Sequence, residues 1–195
     1  MKEDQYIWEE FKNGEEYALA HIYNQNIDFL FFYGKKITKD EDFLLDIIQD
    51  LFYELIRSKK NLGKTDNIRL YLMKSFRRKL IRELQRKQKQ PGINEGIEIQ
   101  LDIVFSVEEE IILAEEKSKR LEIIRQGMKE LNQKQREVLY YKFTLGFDYK
   151  QISEIMEVTN DSARQLVSRA IISLKRYFDE NDFILMFIFR KLIKK

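Results

Sequence analysis

LNQKQREVLYYKFTLGFDYKQISEIMEVTNDSARQLVSRAIISLKRYF, residues Leu131 to Phe178, is the stretch on which the reading of the whole chain turns. With a helix starting at Tyr149, Ile152 and Met156 fall four residues apart and face inward, and Val158 lies in the turn that follows. Ala163, Val167, Ala170 and Leu174 then make one stripe of a second helix. Its remaining face carries Ser162, Arg164, Gln165, Ser168 and Arg169, side chains able to donate and accept hydrogen bonds at base edges and phosphates. Either Thr159 or Asn160 can cap the free amides of its first turn. Two packed helices with polar outer residues also occur in all-α proteins that bind no DNA. Three features favour a DNA-reading helix-turn-helix: small Ala163 where the helices must approach, the short turn Glu157 to Thr159, and Arg and Gln side by side facing outward. Against it stands Glu157, placed where such turns usually carry glycine. That residue must adopt a left-handed backbone, or the turn must differ in detail.

Composition sets the class around this motif. The chain has 195 residues, 44% hydrophobic and 35% charged, enough to bury one or two small cores. Seven Gly and one Pro are few for a sheet protein with many turns, and the abundance of Leu, Ile, Lys, Glu and Gln favours helix, so the expected fold is all-α. Cysteine is absent, which excludes a disulfide framework and cysteine metal sites. No basic-then-apolar leader opens the sequence, and the expected location is the cytoplasm. His21, the one histidine, has no nucleophile or metal-ligand partner nearby in sequence; packing or surface is the reading it supports, and no metal site, cofactor or catalytic residue is expected.

The net charge of +2 hides a sorting of signs along the chain. Residues 3–33 carry apolar positions at helical spacing and predict two helices. Asp40, Glu41 and Asp42 then open another helix, where acids suit the positive end of the dipole. Phe43, Ile47, Ile48, Leu51, Phe52 and Leu55 form its apolar face, and Asp46, Gln49, Asp50 and Glu54 its acidic outer face. From Arg57 to Lys89 the sign reverses, with thirteen Lys or Arg against Asp66 and Glu83. A polar loop, Ser58 to Asn67, leads there into a helix in which Tyr71, Leu72, Phe76, Leu80, Ile81 and Leu84 alternate with Lys74, Arg77, Arg78, Lys79, Arg82 and Arg86. Such a density of cations beside aromatic rings suits nucleic acid, since each phosphate neutralised releases counterions and aromatic contacts stabilise unstacked bases. Residues 91–108 read as a linker: between Pro91 and Glu116 there are eight Asp or Glu and no Lys or Arg. Helical spacing resumes from Glu108 to Leu131. The expected division is 1–90, 91–108, 109–178, and a tail 179–195 whose FILMFIF run, Phe183 to Phe189, is too short to span a bilayer. That tail fits either a helix packed back on the protein or a sticky surface for a partner or membrane interface.

Several of these segments resemble one family. Leu131, Gln135 to Leu139, Gly146 to Ile152 and Ser168 to Leu174 are similar to the C-terminal promoter-binding domain, region four, of extracytoplasmic-function sigma factors of bacterial RNA polymerase. Asp46-Ile-Ile-Gln-Asp-Leu-Phe52 resembles the core-polymerase-binding helix of region two, and Tyr71 through Arg86 the helix after it. The resemblance implies contacts with core RNA polymerase from Asp46, Gln49, Asp50 and Phe52. It implies holding of the melted downstream promoter element by the basic loop and helix, with Lys64, Lys74, Arg77, Arg78 and Arg82 as candidates. Upstream promoter DNA would meet Ser162, Arg164, Gln165 and Ser168, with Lys150 and Arg169 on backbone phosphates. An inhibitory anti-sigma protein is a further implied partner, and no small-molecule substrate is expected. Departures include Arg78 and Arg82 where the family often has Asn and Asp, Asn132 where it often has proline, and the apolar Leu166, Ile171 and Ile172 in the second helix of the motif.

Two rivals remain at the level of sequence. A stand-alone regulator using the same motif as a dimer would footprint a palindrome unaided, whereas a promoter-specificity subunit would need core polymerase. A helical nuclease would need grouped acids with metal-ligand spacing, which the sequence lacks.

Overall fold

A computed structural model describes residues 3–88 and 126–176, and all the regular structure among them is helical. The chain divides into two units, Met1–Ile99 and Gln100–Lys195. That division falls within 91–108, a stretch outside the described residues, as is the FILMFIF tail.

Among the described residues of the N-terminal unit are four α-helices, α1 (Glu3–Asn13), α2 (Glu16–Lys35), α3 (Glu41–Ser58) and α4 (Ile68–Gln88), with a 3-10 turn, Lys59–Asn61, after α3. The two helices expected over 3–33 are present, broken at Gly14, whose φ of 104° no side-chain-bearing residue adopts readily. Asp40 caps α3 by accepting from the Phe43 amide at 3.0 Å, so the acidic cluster at 40–42 does open this helix. Ile47, Ile48, Leu51, Phe52 and Leu55 turn inward on α3 together with Leu44, and Leu72, Met73, Phe76 and Leu80 do the same on α4. Trp8, fully buried, packs on Tyr71 and Phe11.

Long-range polar contacts hold the loop between α3 and α4. The Trp8 indole donates to the Gly63 carbonyl at 2.8 Å, and the Ile68 amide at the start of α4 donates to Asp4 at 2.9 Å. A carboxylate from α1 thus serves the N-terminal end of α4, which its own preceding loop serves through the Asn67 side chain and the Leu70 amide. At the other end of α4, Lys87 reaches Asp40 at 2.9 Å and lies over the Phe43 ring at 3.6 Å. The Lys87 ammonium, followed by the Phe43 amide, holds the Asp40 carboxyl below its usual range by favouring the charged form.

In the C-terminal unit, a helical turn at 126–129 precedes α5 (Gln133–Leu139), a π-helical turn (Tyr140–Thr144), α6 (Tyr149–Met156) and α7 (Asn160–Lys175). Asn132 and Gln135 form a reciprocal capping box at the start of α5, so the asparagine there satisfies first-turn amides by hydrogen bonding. The π-helical turn closes through Leu145 and Phe147 amides to the Tyr140 and Tyr141 carbonyls. Both tyrosine rings are thereby buried; burial pushes the Tyr140 hydroxyl up to about 12, and the Tyr141 hydroxyl donates to the buried Glu137 carboxylate at 2.7 Å.

Gly34 marks a close approach of α2 to α3. A Cβ there would stand 2.5 Å from the buried Leu44 Cδ2. Gly34→Ala is expected to lower N-terminal stability by about 1–3 kcal/mol through overpacking. Fluorescence of Trp8, the chain's single tryptophan, during urea unfolding isolates this unit's transition.

Candidate nucleic-acid interface

The helix-turn-helix is built by caps and one strained residue. Asp148 and Gln151 form a second capping box at the start of α6, with the Gln151 amide 2.8 Å from Asp148 and the Asp148 amide 2.9 Å from Gln151. Thr159, not Asn160, caps α7, accepting from the Ser162 amide at 3.1 Å while its hydroxyl donates to Ser162 Oγ at 2.8 Å. Between them Glu157 takes φ 56° and ψ 43°, the left-handed conformation, and its amide closes the end of α6 on the Ser153 carbonyl. The turn therefore keeps the usual geometry without the usual glycine, at a backbone cost of roughly 1–2 kcal/mol.

Packing sorts α7 into two faces. Ala163 and Ala170 are fully buried and Val167 nearly so, against a core of Val138, Leu139, Tyr141, Ile152, Ile155 and Met156. Leu174, the last position of the expected stripe, is only half-buried. Arg164, Gln165, Ser168 and Arg169 are exposed on the opposite side, and Ser162 is half-buried by its engagement with Thr159. Lys150 is exposed on α6. Of the apolar departures, Ile172 is exposed while Leu166 and Ile171 are half-buried, so this face is not wholly polar. Tyr149, the first residue of α6, carries the Arg164 guanidinium at 5.6 Å and the Lys142 ammonium at 4.5 Å from its ring centroid.

In the N-terminal unit the basic block separates into two groups. Arg69 packs over the Phe29 ring at 4.9 Å and donates to the Gln25 carbonyl, and Lys87 ties α4 to α3. Lys79 is nearly buried and lies 2.7 Å from Glu54 and 3.4 Å from Asp50. These three cations hold the fold. Lys64, Arg78 and Arg82 are exposed, and Lys74 and Arg77 are half-exposed. Arg82 and Arg86 both lie near Glu83, at 3.7 Å and 3.3 Å.

On α3, Asp46 and Gln49 are free to meet solvent, whereas Asp50 shares Lys79 with Glu54. Phe52 is buried edge-on against Tyr23, so its ring serves the core and offers no surface to a partner. Leu45, Tyr53 and Ile56 are the exposed apolar side chains of this helix. The sequence reading left these three off the apolar face and gave them no role, since periodicity marks which side of a helix turns inward and not which outward apolar residues a partner would cover. The Asp148–Gln151 capping box, by contrast, was written in the sequence as an acid three residues before a glutamine. Among the described residues, no group of three or more acids, histidines or cysteines could hold a metal ion, and no helix is long and apolar enough to cross a membrane.

Residues 121–174 match the family model described as sigma-70, region 4. Over these residues the chain carries a sigma-70 region 4 domain. The matched stretch contains α5, α6 and α7 up to its last residue but one, so the helix-turn-helix is the motif of a sigma region 4 domain. A sigma factor of this family directs RNA polymerase to promoters. Among solved structures the chain is similar to one chain of "Structure of CnrH in complex with the cytosolic domain of CnrY", with a TM-score of 0.58 and 14% identity over 89% of this chain and 95% of that one. At that identity the likeness establishes a shared all-helical fold. No curated protein sequence matches the chain.

Glu157→Gly should remove the left-handed strain of the turn and raise the stability of the motif by about 0.5–1 kcal/mol, the relief being partly offset by the greater freedom of an unfolded glycine. Native-state hydrogen exchange at the Ile155 and Val167 amides reads this gain in the C-terminal unit alone.

Proposed function

We propose that this sigma factor is of the extracytoplasmic-function type and that its two units engage two promoter elements in complex with core RNA polymerase. The observation that carries the reading is the two-faced α7: small residues buried against α5 and α6, and Arg164, Gln165, Ser168 and Arg169 presented outward. A helix held so rigidly on one side can enter the major groove of the upstream element with its polar side first. Arg164, Gln165 and Ser168 are assigned to bases or phosphates there, and Lys150 and Arg169 to phosphates. Lys64, Lys74, Arg77, Arg78 and Arg82 are assigned to the downstream element, where this set of exposed and half-exposed cations suits the phosphates of a melted strand.

Core polymerase is assigned to α3. Asp46, Gln49 and Asp50 supply the polar contacts, and Leu45, Tyr53 and Ile56 take the apolar part that Phe52 cannot. The chemistry of RNA synthesis belongs to the polymerase, and this chain acts by binding. Linking two weak DNA-binding units in one chain gives each a high effective concentration at its own element, so that only promoters with suitable spacing are chosen. CnrH is bound in its structure to the cytosolic domain of CnrY, and by that likeness we extend an anti-sigma protein to this chain as a further partner.

Transcription with purified core polymerase on a plasmid library, with sequencing of the transcript starts, tests the reading. The wild-type chain should direct starts that core alone does not. Arg164→Ala should reduce use of the upstream element by roughly fivefold or more, the loss of one good base or phosphate contact. Arg78→Ala should leave upstream protection intact and slow opening, seen by permanganate reactivity of unpaired thymines. Full activity in both variants would remove these two residue assignments, and absence of directed starts with the wild type would remove the function.

A further inference from the structure

The ring of Tyr149 brings together two cations from different elements. Arg164 reaches it from α7 and Lys142 from the π-helical turn, with their charged groups 5.6 and 4.5 Å from the ring centroid. Lys142 also lies 3.4 Å from the Phe147 carbonyl, which steadies its ammonium at the entrance to α6. Among the described residues, neither cation has a carboxylate within ion-pair distance. Asp148, the residue before Tyr149, spends one carboxylate oxygen on the Gln151 amide.

Each cation is drawn to the negative face of the ring, but two like charges held at one ring repel each other. An anion that approaches both relieves this repulsion and is attracted twice. We propose that Tyr149 is a positioning residue that assembles Lys142 and Arg164 into a two-cation grip on the phosphodiester backbone of duplex DNA. The proposal rests on the reading of α7 as the DNA-facing helix, and it adds Lys142, which lies before the helix-turn-helix, to the contacts. The ring also restricts two long side chains before DNA arrives, so less ordering remains to be done on binding. Arg164 is thereby committed to phosphate, which leaves Gln165 and Ser168 as the readers of bases on this face.

The test uses the full chain with core polymerase and a linear duplex that this complex has selected from a random pool, with affinities measured between about 50 and 200 mM salt. Lys142→Gln and Arg164→Gln should each lower the slope of log affinity against log salt by about one. Tyr149→Phe, which keeps the ring face, should stay within about twofold of wild type, while Tyr149→Leu should weaken binding about two- to fivefold. In the Lys142→Gln, Arg164→Gln double variant the same leucine substitution should have no further effect, because no cation remains for the ring to hold. A leucine penalty that persists undiminished there would reduce Tyr149 to a packing residue and overturn the proposal. An unchanged salt slope in Lys142→Gln alone, with Arg164→Gln responding, would overturn the grip and leave the DNA-facing reading of α7 intact. Unchanged slopes in both would end both. The Lys142→Gln slope requires no change at Tyr149, so a leucine variant that fails to fold still leaves the grip open to refutation.

Discussion

The close crossing of α6 and α7 is the constraint on which the C-terminal unit depends. It needs a residue as small as Ala163 at the contact, a cap on each helix, and a reversal of chain direction within three residues. Glu157 meets the last need from a left-handed backbone, which an L-residue adopts only when the surrounding packing outweighs the strain. Because α7 is thereby buried along one stripe, its other face is left to solvent as a rigid, polar surface. The DNA-binding surface is in this sense a by-product of the way the core is closed.

Charge works differently in the N-terminal unit. The sequence shows a single cationic block, but packing divides it by position on α4. Lys79 is withdrawn to neutralise Asp50 and Glu54, and Lys87 closes α4 onto the cap of α3. Without partners, a charge buried as deeply as that of Lys79 would be costly. The same ion pairs shape the outer surface of α3, because Asp50 presents itself with its charge already shared while Asp46 does not. Cations that build the helical unit and cations left at its surface are thus different residues of the same helix.

Much of this was legible in the sequence. Helical periodicity gave α3, α4, α6 and α7 most of their inward faces but found α2 only as a helix, because Tyr17 and Tyr23 on it are exposed while Ala18 and Tyr33 are buried; the starts of α3 and α6 fell at or beside the residues read as their beginnings, because acids and capping boxes mark helix ends locally. What local pattern could not supply was anything that depends on a neighbour far along the chain. Phe52 reads the same whether it points at Tyr23 or at a partner, and Leu45, Tyr53 and Ile56, off the apolar stripe, drew no reading at all. Asp4 cannot be seen as a partner for the Ile68 amide from either segment alone, nor Lys142 and Arg164 as sharing a ring. The π-helical turn at Tyr140–Thr144 was likewise invisible, since a five-residue widening leaves no signature in spacing.

The central claim is that this chain reads DNA as part of a polymerase, with two unlike elements and no symmetry. The most direct measurement is selection of duplexes from a random pool by the full chain, with and without core RNA polymerase, followed by sequencing. The account predicts enrichment only with the polymerase, of two different sequence boxes at one fixed separation. A palindrome enriched by the chain alone would contradict it.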